Sequence, residues 1–187
     1  MPHQIFPHPV LFSLRCFAMA AAVCLGTVAH ADDYADVNRL VQAGQLAAAL
    51  SKADQYLAGK PRDPQMRFIK GVILTESGKP AEALAVLTKI TEDYPELPEP
   101  YNNLAVLYAK QNQFDKARTA LEMAIRTNPG YATAHENLGD VYAQLASQSY
   151  GKALQLERGN ARLPRKMTVI SGVFAPDAEA VPAQTQR

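Results

Sequence analysis

Residues 98–131 read PEPYNNLAVLYAKQNQFDKARTALEMAIRTNPGY, and the chain on either side repeats this pattern of small, apolar and proline positions every 34 residues. Three series show the spacing: Pro61, Pro95 and Pro129; Ala49, Ala83 and Ala117; and Gly71, Ala105 and Gly139. A period of this length is typical of a helical solenoid, in which each unit cannot bury its own apolar face and packs on its neighbours. The sequence therefore predicts a stack of similar helical repeats.

The central repeat is predicted to form a hairpin of two helices. Its first helix carries Tyr101, Leu104, Ala105 and Tyr108 at helical spacing, and its second carries Ala117, Leu121, Ala124 and Ile125. Ala105 and Ala117 are small where the two backbones should cross, and a large side chain at either position would push the helices apart.

Nine positions of the central repeat match the tetratricopeptide pattern in order. They are Tyr101, Leu104, Ala105, Tyr108, Phe114, Ala117, Leu121, Ala124 and Pro129. The chain therefore resembles the tetratricopeptide repeat family, and the pattern recurs over roughly 130 residues. The resemblance implies an all-α, right-handed superhelical solenoid of helical hairpins. It also implies a scaffold that holds peptides or other proteins in a concave groove, without naming the ligand.

The fourth repeat departs from the family pattern. Residues 143–150 contain neither glycine nor proline, and the segment 152–154 that should end a second helix comes too early for a turn. We therefore predict one long helix from about Thr133 to Glu157, with Leu138, Tyr142, Leu145 and Leu156 near one stripe. The expected repeat domain spans residues 32–160, with repeats at about 32–63, 64–97, 98–131 and 132–160.

A capping helix is expected over residues 161–174. Met167, Ile170, Val173 and Phe174 recur at helical spacing there and could cover the last repeat, while Arg165 and Lys166 face solvent. The tail at residues 175–187 has two prolines and little apolar surface to offset the entropy of ordering, so we expect it to be disordered.

Residues 1–31 are predicted to be a secretory signal peptide. The apolar, uncharged run from Cys16 to Val28 follows Arg15, and Ala29-His30-Ala31 supplies small residues around a cleavage site after Ala31. An uncleaved membrane anchor is the alternative, although the run is shorter than the roughly 20 apolar residues that a spanning helix needs. The pattern indicates an exported, periplasmic protein of a bacterial envelope.

Removal of this leader would leave a chain without cysteine and with balanced charge. Cys16 and Cys24 both lie in the leader, so the fold cannot depend on disulfides. Arg15 also leaves, so that 18 basic residues balance 18 acidic ones. This balance gives no support for nucleic acid or, after signal cleavage, for a membrane as partner.

Catalytic residues are scarce in the predicted mature chain. His135 is its only histidine; Glu136 and Asp140 are near, but no second histidine lies four residues away as a zinc-binding helix would need. Because His135 occupies the slot that Tyr101 fills one repeat earlier, an aromatic packing role is favoured. We expect a non-catalytic protein with no metal and no cofactor.

Two alternatives stay open: a periplasmic hydrolase that relies on carboxylates, and a peptidoglycan-binding protein that uses tyrosines. The spacing predicts that Tyr101, Tyr108 and Tyr142 are buried, which leaves Tyr94 and Tyr131 as the more exposed candidates for stacking on sugars.

The predicted binding site is the groove. In the family, the first helix of each repeat lines the concave face. Matching slots give apolar residues mixed with acidic ones, which suits a peptide with an apolar anchor and a basic end. The chain itself is expected to be a monomer or a weak homo-oligomer. The predicted groove residues are Phe68, Val72, Glu76, Asn102, Val106, Lys110, Glu136, Asp140 and Gln144.

The leader pattern generates a first prediction, which is export with cleavage after Ala31. The intact mass of the protein recovered from the periplasmic fraction should equal that of residues 32–187. A periplasmic form that still contains Cys16 and Cys24 would contradict it.

Overall fold

The computed structural model describes residues 33–174, and this part of the chain consists of eight helices without a strand. The all-α fold predicted from the sequence is confirmed. The helices are α1 (residues 33–42), α2 (Leu46–Gly59), α3 (Pro64–Glu76), α4 (Pro80–Asp93), α5 (Pro98–Lys110), α6 (Phe114–Thr127), α7 (Ala132–Leu156) and α8 (Arg162–Gly172). The predicted leader, its cleavage site and the predicted disordered tail lie outside the described residues.

The chain divides into two compact units, Met1–Ser77 and Gly78–Arg187. In the first unit, α2 packs against α3. The core of this unit is formed by buried residues of all three helices, and partly buried hydrophobic residues such as Leu40 and Leu50 pack against it. The core residues are Val37, Ala49, Ala53, Met66 and Ile73.

A polar cluster joins the three helices of the first unit. Asp63 precedes α3, and its Oδ1 accepts a hydrogen bond from the Met66 amide at 2.8 Å, which caps the helix. Its Oδ2 accepts hydrogen bonds from the hydroxyls of Tyr34, at 2.6 Å, and Tyr56, at 3.1 Å. Burial acts to raise the pKa of Asp63, but these donors outweigh it and hold the pKa below its usual value.

In the second unit, successive helices pack as antiparallel neighbours. α4 contacts α5, α5 contacts α6, α6 contacts α7, and α7 contacts α8. Small residues are buried where the helices approach: Ala105 is 1% exposed and Ala117 is fully buried. Their burial agrees with the crossing points predicted from the sequence. The core of this unit also includes Leu87, Ile90, Leu104, Leu107, Leu121 and Ala124.

The turns after α1, α3 and α5 share a left-handed residue at the same position of the repeat. Gly44, Gly78 and Asn112 have φ values of 69°, 70° and 58°, and they are 34 residues apart. Glycine and asparagine tolerate this conformation, whereas other residues are strained in it. The corresponding residue of the fourth repeat is Ala146, which stays helical. This substitution explains why α7 continues for 25 residues, as predicted, instead of turning.

The stripe predicted along α7 is partly wrong. Leu138 and Leu145 are half-buried, but Tyr142 is 50% exposed and Leu156 is 78% exposed. Tyr142 repeats Tyr108, which is half-buried beside α6. Because α7 does not turn back on itself, Tyr142 has no second helix of its own repeat to pack against.

The predicted capping helix is present as α8, which packs on α7, but its anchor differs from the prediction. Met167 and Ile170 are half-buried, whereas Val173 is 60% exposed. The buried residue is Leu163, at 7% exposure, which comes one helical turn before Met167. The apolar pattern predicted for this helix starts at Met167, so it does not include Leu163.

The packing of the α5–α6 hairpin generates a second prediction. Ala117→Trp should lower the free energy of unfolding by about 1–3 kcal/mol or more, because the ring must fit where two helices touch. Ala85 is exposed on α4, and Ala85→Trp is the matched control. Thermal melting followed by circular dichroism measures both; an unchanged melting temperature for Ala117→Trp would contradict the packing.

The Asp63 cluster generates a third prediction. Asp63→Asn keeps a helix-capping oxygen but removes the charge, and should cost about 1–2 kcal/mol at neutral pH. Because folding lowers the pKa of Asp63, its contribution is present above the unfolded pKa and is lost as pH falls through the folded pKa. The difference between wild type and variant should therefore close in acid, below about pH 4.

Urea unfolding across this pH range measures the difference. Asp54→Asn is the control, since Asp54 is half exposed and pairs with Lys70 at 2.6 Å on the surface. An Asp63→Asn deficit that does not change with pH would contradict the role of the charge.

Candidate functional site

The second unit contains a pocket of about 490 Å³ between α5, α6 and α7. Its floor is apolar because small and aliphatic residues of α5 and α7 face it, and polar side chains stand among them. The lining residues are Ala105, Val106, Ala109, Lys110, Asn112, Phe114, Leu121, Asn137, Asp140, Val141, Gln144 and Phe174.

Four predicted groove residues meet in this pocket. Val106 and Lys110 come from α5, and Asp140 and Gln144 come from α7. Each pair lies one helical turn apart, so both members face the same side of their helix. Lys110 and Asp140 are exposed, and neither forms an ion pair with another residue of the described chain. Both charges are therefore available to a ligand.

Asn102 and Glu136, which were predicted to line the groove, do not line this pocket. Asn102 is only 6% exposed, and its Oδ1 accepts a hydrogen bond from Asn137 Nδ2 at 2.8 Å. A buried amide without such a partner would be destabilising, so this bond ties α5 to α7. Asn102 supports the site through Asn137, and Glu136 is exposed on α7.

The remaining three predicted residues belong to the first unit. Phe68 and Val72 are half-buried on α3, and Glu76 is exposed at its last turn. They stay predictions as ligand-binding residues.

Eight of the twelve lining residues were not predicted for the site, and four of them show why. Asn112 is the left-handed turn residue, and Phe114, at the start of α6, was recognised only as a packing position. Asn137 repeats Asn103 of the preceding repeat, and this recurrence alone does not indicate a ligand-binding residue. Phe174 follows α8 and was predicted as a capping residue; no 34-residue match places it here.

His135 and Tyr101 make equivalent contacts. The Tyr101 hydroxyl donates to the carbonyl of Pro95 at 3.3 Å, and His135 Nε2 lies 2.9 Å from the carbonyl of Pro129. Both pairs are related by the repeat. His135 therefore occupies the position of the repeat that was predicted for it. The expected aromatic packing is wrong, because the His135 ring is exposed. The contact between His135 and Pro129 connects the third repeat to the fourth.

Residues that would support the alternative functions are dispersed. Tyr94 and Tyr131 are half-buried, so they are less available than expected for stacking on sugars. Among residues 33–174, no group of three or more histidine, cysteine or acidic side chains is placed to hold a metal ion. No helix in the same stretch has the length and hydropathy needed to cross a membrane.

The geometry of the pocket suits a peptide segment. Val106, Phe114 and Val141 offer an apolar surface of the size of one or two side chains, while Lys110 and Asp140 offer opposite charges at its edge. Such a site combines an apolar anchor with charges that orient the ligand.

Two family models, both described as tetratricopeptide repeat, match residues 34–98 and 74–138. Together the matches span more than half of the chain. Over 167 residues, or 85% of the chain, the sequence is 26% identical to PYG7, a chloroplastic tetratricopeptide repeat domain-containing protein of Arabidopsis thaliana. The chain spans 56% of the length of that relative.

Solved structures share the fold at low sequence identity. The tetratricopeptide repeat domain of Sgt2 from Aspergillus fumigatus has a TM-score of 0.60 and 16% identity, and the match covers 63% of this chain and 80% of that one. A chain of Naa15/Naa10 bound to HypK-THB has a TM-score of 0.53 and 21% identity; the match covers 77% of this chain and 22% of that one.

Proposed function

The chain belongs to the tetratricopeptide repeat family, and we propose that it is a non-catalytic scaffold that binds a protein or peptide segment in the pocket between α5, α6 and α7. The observation that carries the proposal is the convergence of Val106, Lys110, Asp140 and Gln144 on one cavity. These residues come from equivalent positions of two successive repeats, so the site is a product of the repeat itself.

The ligand is a short segment with one apolar side chain and charged neighbours. The apolar side chain enters between Val106 and Val141, which removes it from water at a gain of roughly 1.5–3 kcal/mol for a fully buried side chain. A basic group of the ligand then faces Asp140. An acidic group of the ligand, or the backbone carbonyl groups of an extended peptide, faces Lys110. The Naa15/Naa10 structure is bound to HypK-THB, which supports a protein segment as the class of ligand.

The location of this activity is the periplasm, and the process is envelope assembly, secretion or cell division. The support is the leader pattern at residues 1–31, with its short apolar run and its small residues before position 32. The cavity also suits such work, because a preformed pocket on rigid helices can hold an extended partner without a chemical step.

Site-specific photocrosslinking tests the proposal. A benzoylphenylalanine residue replaces Val106 or Gln144 in the full chain, expressed from its own locus, and Ala85 on α4 is the matched control position. We expect one partner adduct of defined mass from the two pocket positions, and none from position 85. Asp140→Lys in the same chain should reduce its yield several-fold, because the charge that faces the ligand is reversed.

Adducts of equal yield from all three positions would contradict the pocket as the binding site. Adducts that do not change with Asp140→Lys would contradict the orientation of the ligand.

A further inference from the structure

The exposed large hydrophobic residues of the described chain concentrate near its last two helices. They are Tyr142, Leu156, Val169, Val173 and Phe174, and all belong to α7, to α8 or to the residues directly after it. Val169 and Val173 are 74% and 60% exposed, and they lie one turn apart on the same side of α8. Contiguous exposed apolar residues on a folded protein mark interaction surfaces.

The same region carries an excess of positive charge. Residues 150–174 contain Lys152, Arg158, Arg162, Arg165 and Lys166 but only one acidic residue, Glu157. All five cations are exposed, and none forms an ion pair within the described residues. Several cations elsewhere in the described chain, such as Lys89 and Arg118, do pair with carboxylates. Within residues 33–174, the positive charge of this end is therefore not paired with a carboxylate.

Apolar and basic side chains share one hollow here. Tyr150 of α7 and Arg165, Lys166, Val169 and Ile170 of α8 line a shallow depression of about 320 Å³. Lys166 Nζ lies 5.0 Å from the centre of the Tyr150 ring, which holds the cation beside the apolar surface. We call these five residues, together with Val173, the terminal surface.

We propose that the terminal surface docks an acidic segment of a partner protein, with an aliphatic side chain of that segment seated between Tyr150 and Val169. Charge complementarity selects this occupant. A second copy of the chain that used this same surface would place like charges face to face. A lipid surface would need a broad apolar face. α8 does not offer one, because its residues Leu163, Met167 and Ile170 face α7. The surface is separate from the pocket of the proposed function.

Fluorescence anisotropy with the full chain tests the proposal. The probe is a fluorescein-labelled helical peptide about four turns long, in which glutamates flank pairs of leucines four residues apart. We expect saturable binding that weakens with added salt. Arg165→Glu with Lys166→Glu should weaken it by about tenfold or more. Val169→Asn with Val173→Asn should also weaken it, and this change leaves the net charge unaltered.

The matched control is Lys116→Glu with Arg126→Glu on α6. Both residues are exposed, and Lys116 lies over the Tyr108 ring at 5.6 Å, as Lys166 does over Tyr150. This variant should bind like wild type, and circular dichroism should show that all variants keep the helical fold. A probe with lysine in place of glutamate should bind the Arg165→Glu, Lys166→Glu variant better than wild type.

Three results would overturn the proposal. The first is no binding of the acidic probe, or equal binding by the terminal-surface variants and the control. The second is equal or tighter binding to vesicles of equimolar phosphatidylcholine and phosphatidylglycerol, or to a single-stranded oligonucleotide. The third is a dimer in sedimentation velocity that dissociates when Val169 and Val173 are replaced by asparagine.

Discussion

The close approach of paired helices is the constraint on which the rest of this structure depends. Ala49, Ala83 and Ala117 are fully buried, at the same position of three successive repeats. A larger side chain would hold the helices of a hairpin apart and open voids along its length, and protein interiors tolerate neither the strain nor the voids. The short turns, the buried aliphatic residues and the pocket beside α5 all depend on this short distance between the helices.

The repeat period is enough to predict most helices. The absence of a turn in α7 is predicted by a departure from that period, because residues 143–150 contain neither glycine nor proline. It predicts which face of a helix is apolar, but whether a neighbour covers that face depends on the rest of the fold. Tyr142 shows the difference: it matches Tyr108 in sequence, yet it is half exposed because α7 runs straight on. Leu163 was missed for another reason: it lies one helical turn before Met167, but the predicted apolar pattern of this helix starts only at Met167.

The candidate site also contains some contacts that the repeat predicts and others that it does not. Val106 with Asp140 and Lys110 with Gln144 are each 34 residues apart, so their convergence follows from repetition. The bond between Asn102 and Asn137 spans 35 residues, and Phe174 follows α8, a helix outside the repeats. Contacts of this kind depend on side-chain directions in three dimensions, and sequence periodicity carries no information about them. The formal net charge of the whole chain, +1, likewise gives no sign of the local excess of cations on α8.

The unbroken course of α7 has a mechanical consequence. Gln144 in the pocket and Tyr150 on the terminal surface are six residues apart on this helix, which is about 9 Å along its axis. A hairpin would have separated them by a turn that could absorb motion. Here no turn lies between them, so a rotation of α7 about its axis would move Gln144 and Tyr150 together, and the pocket and the terminal surface share one continuous helix.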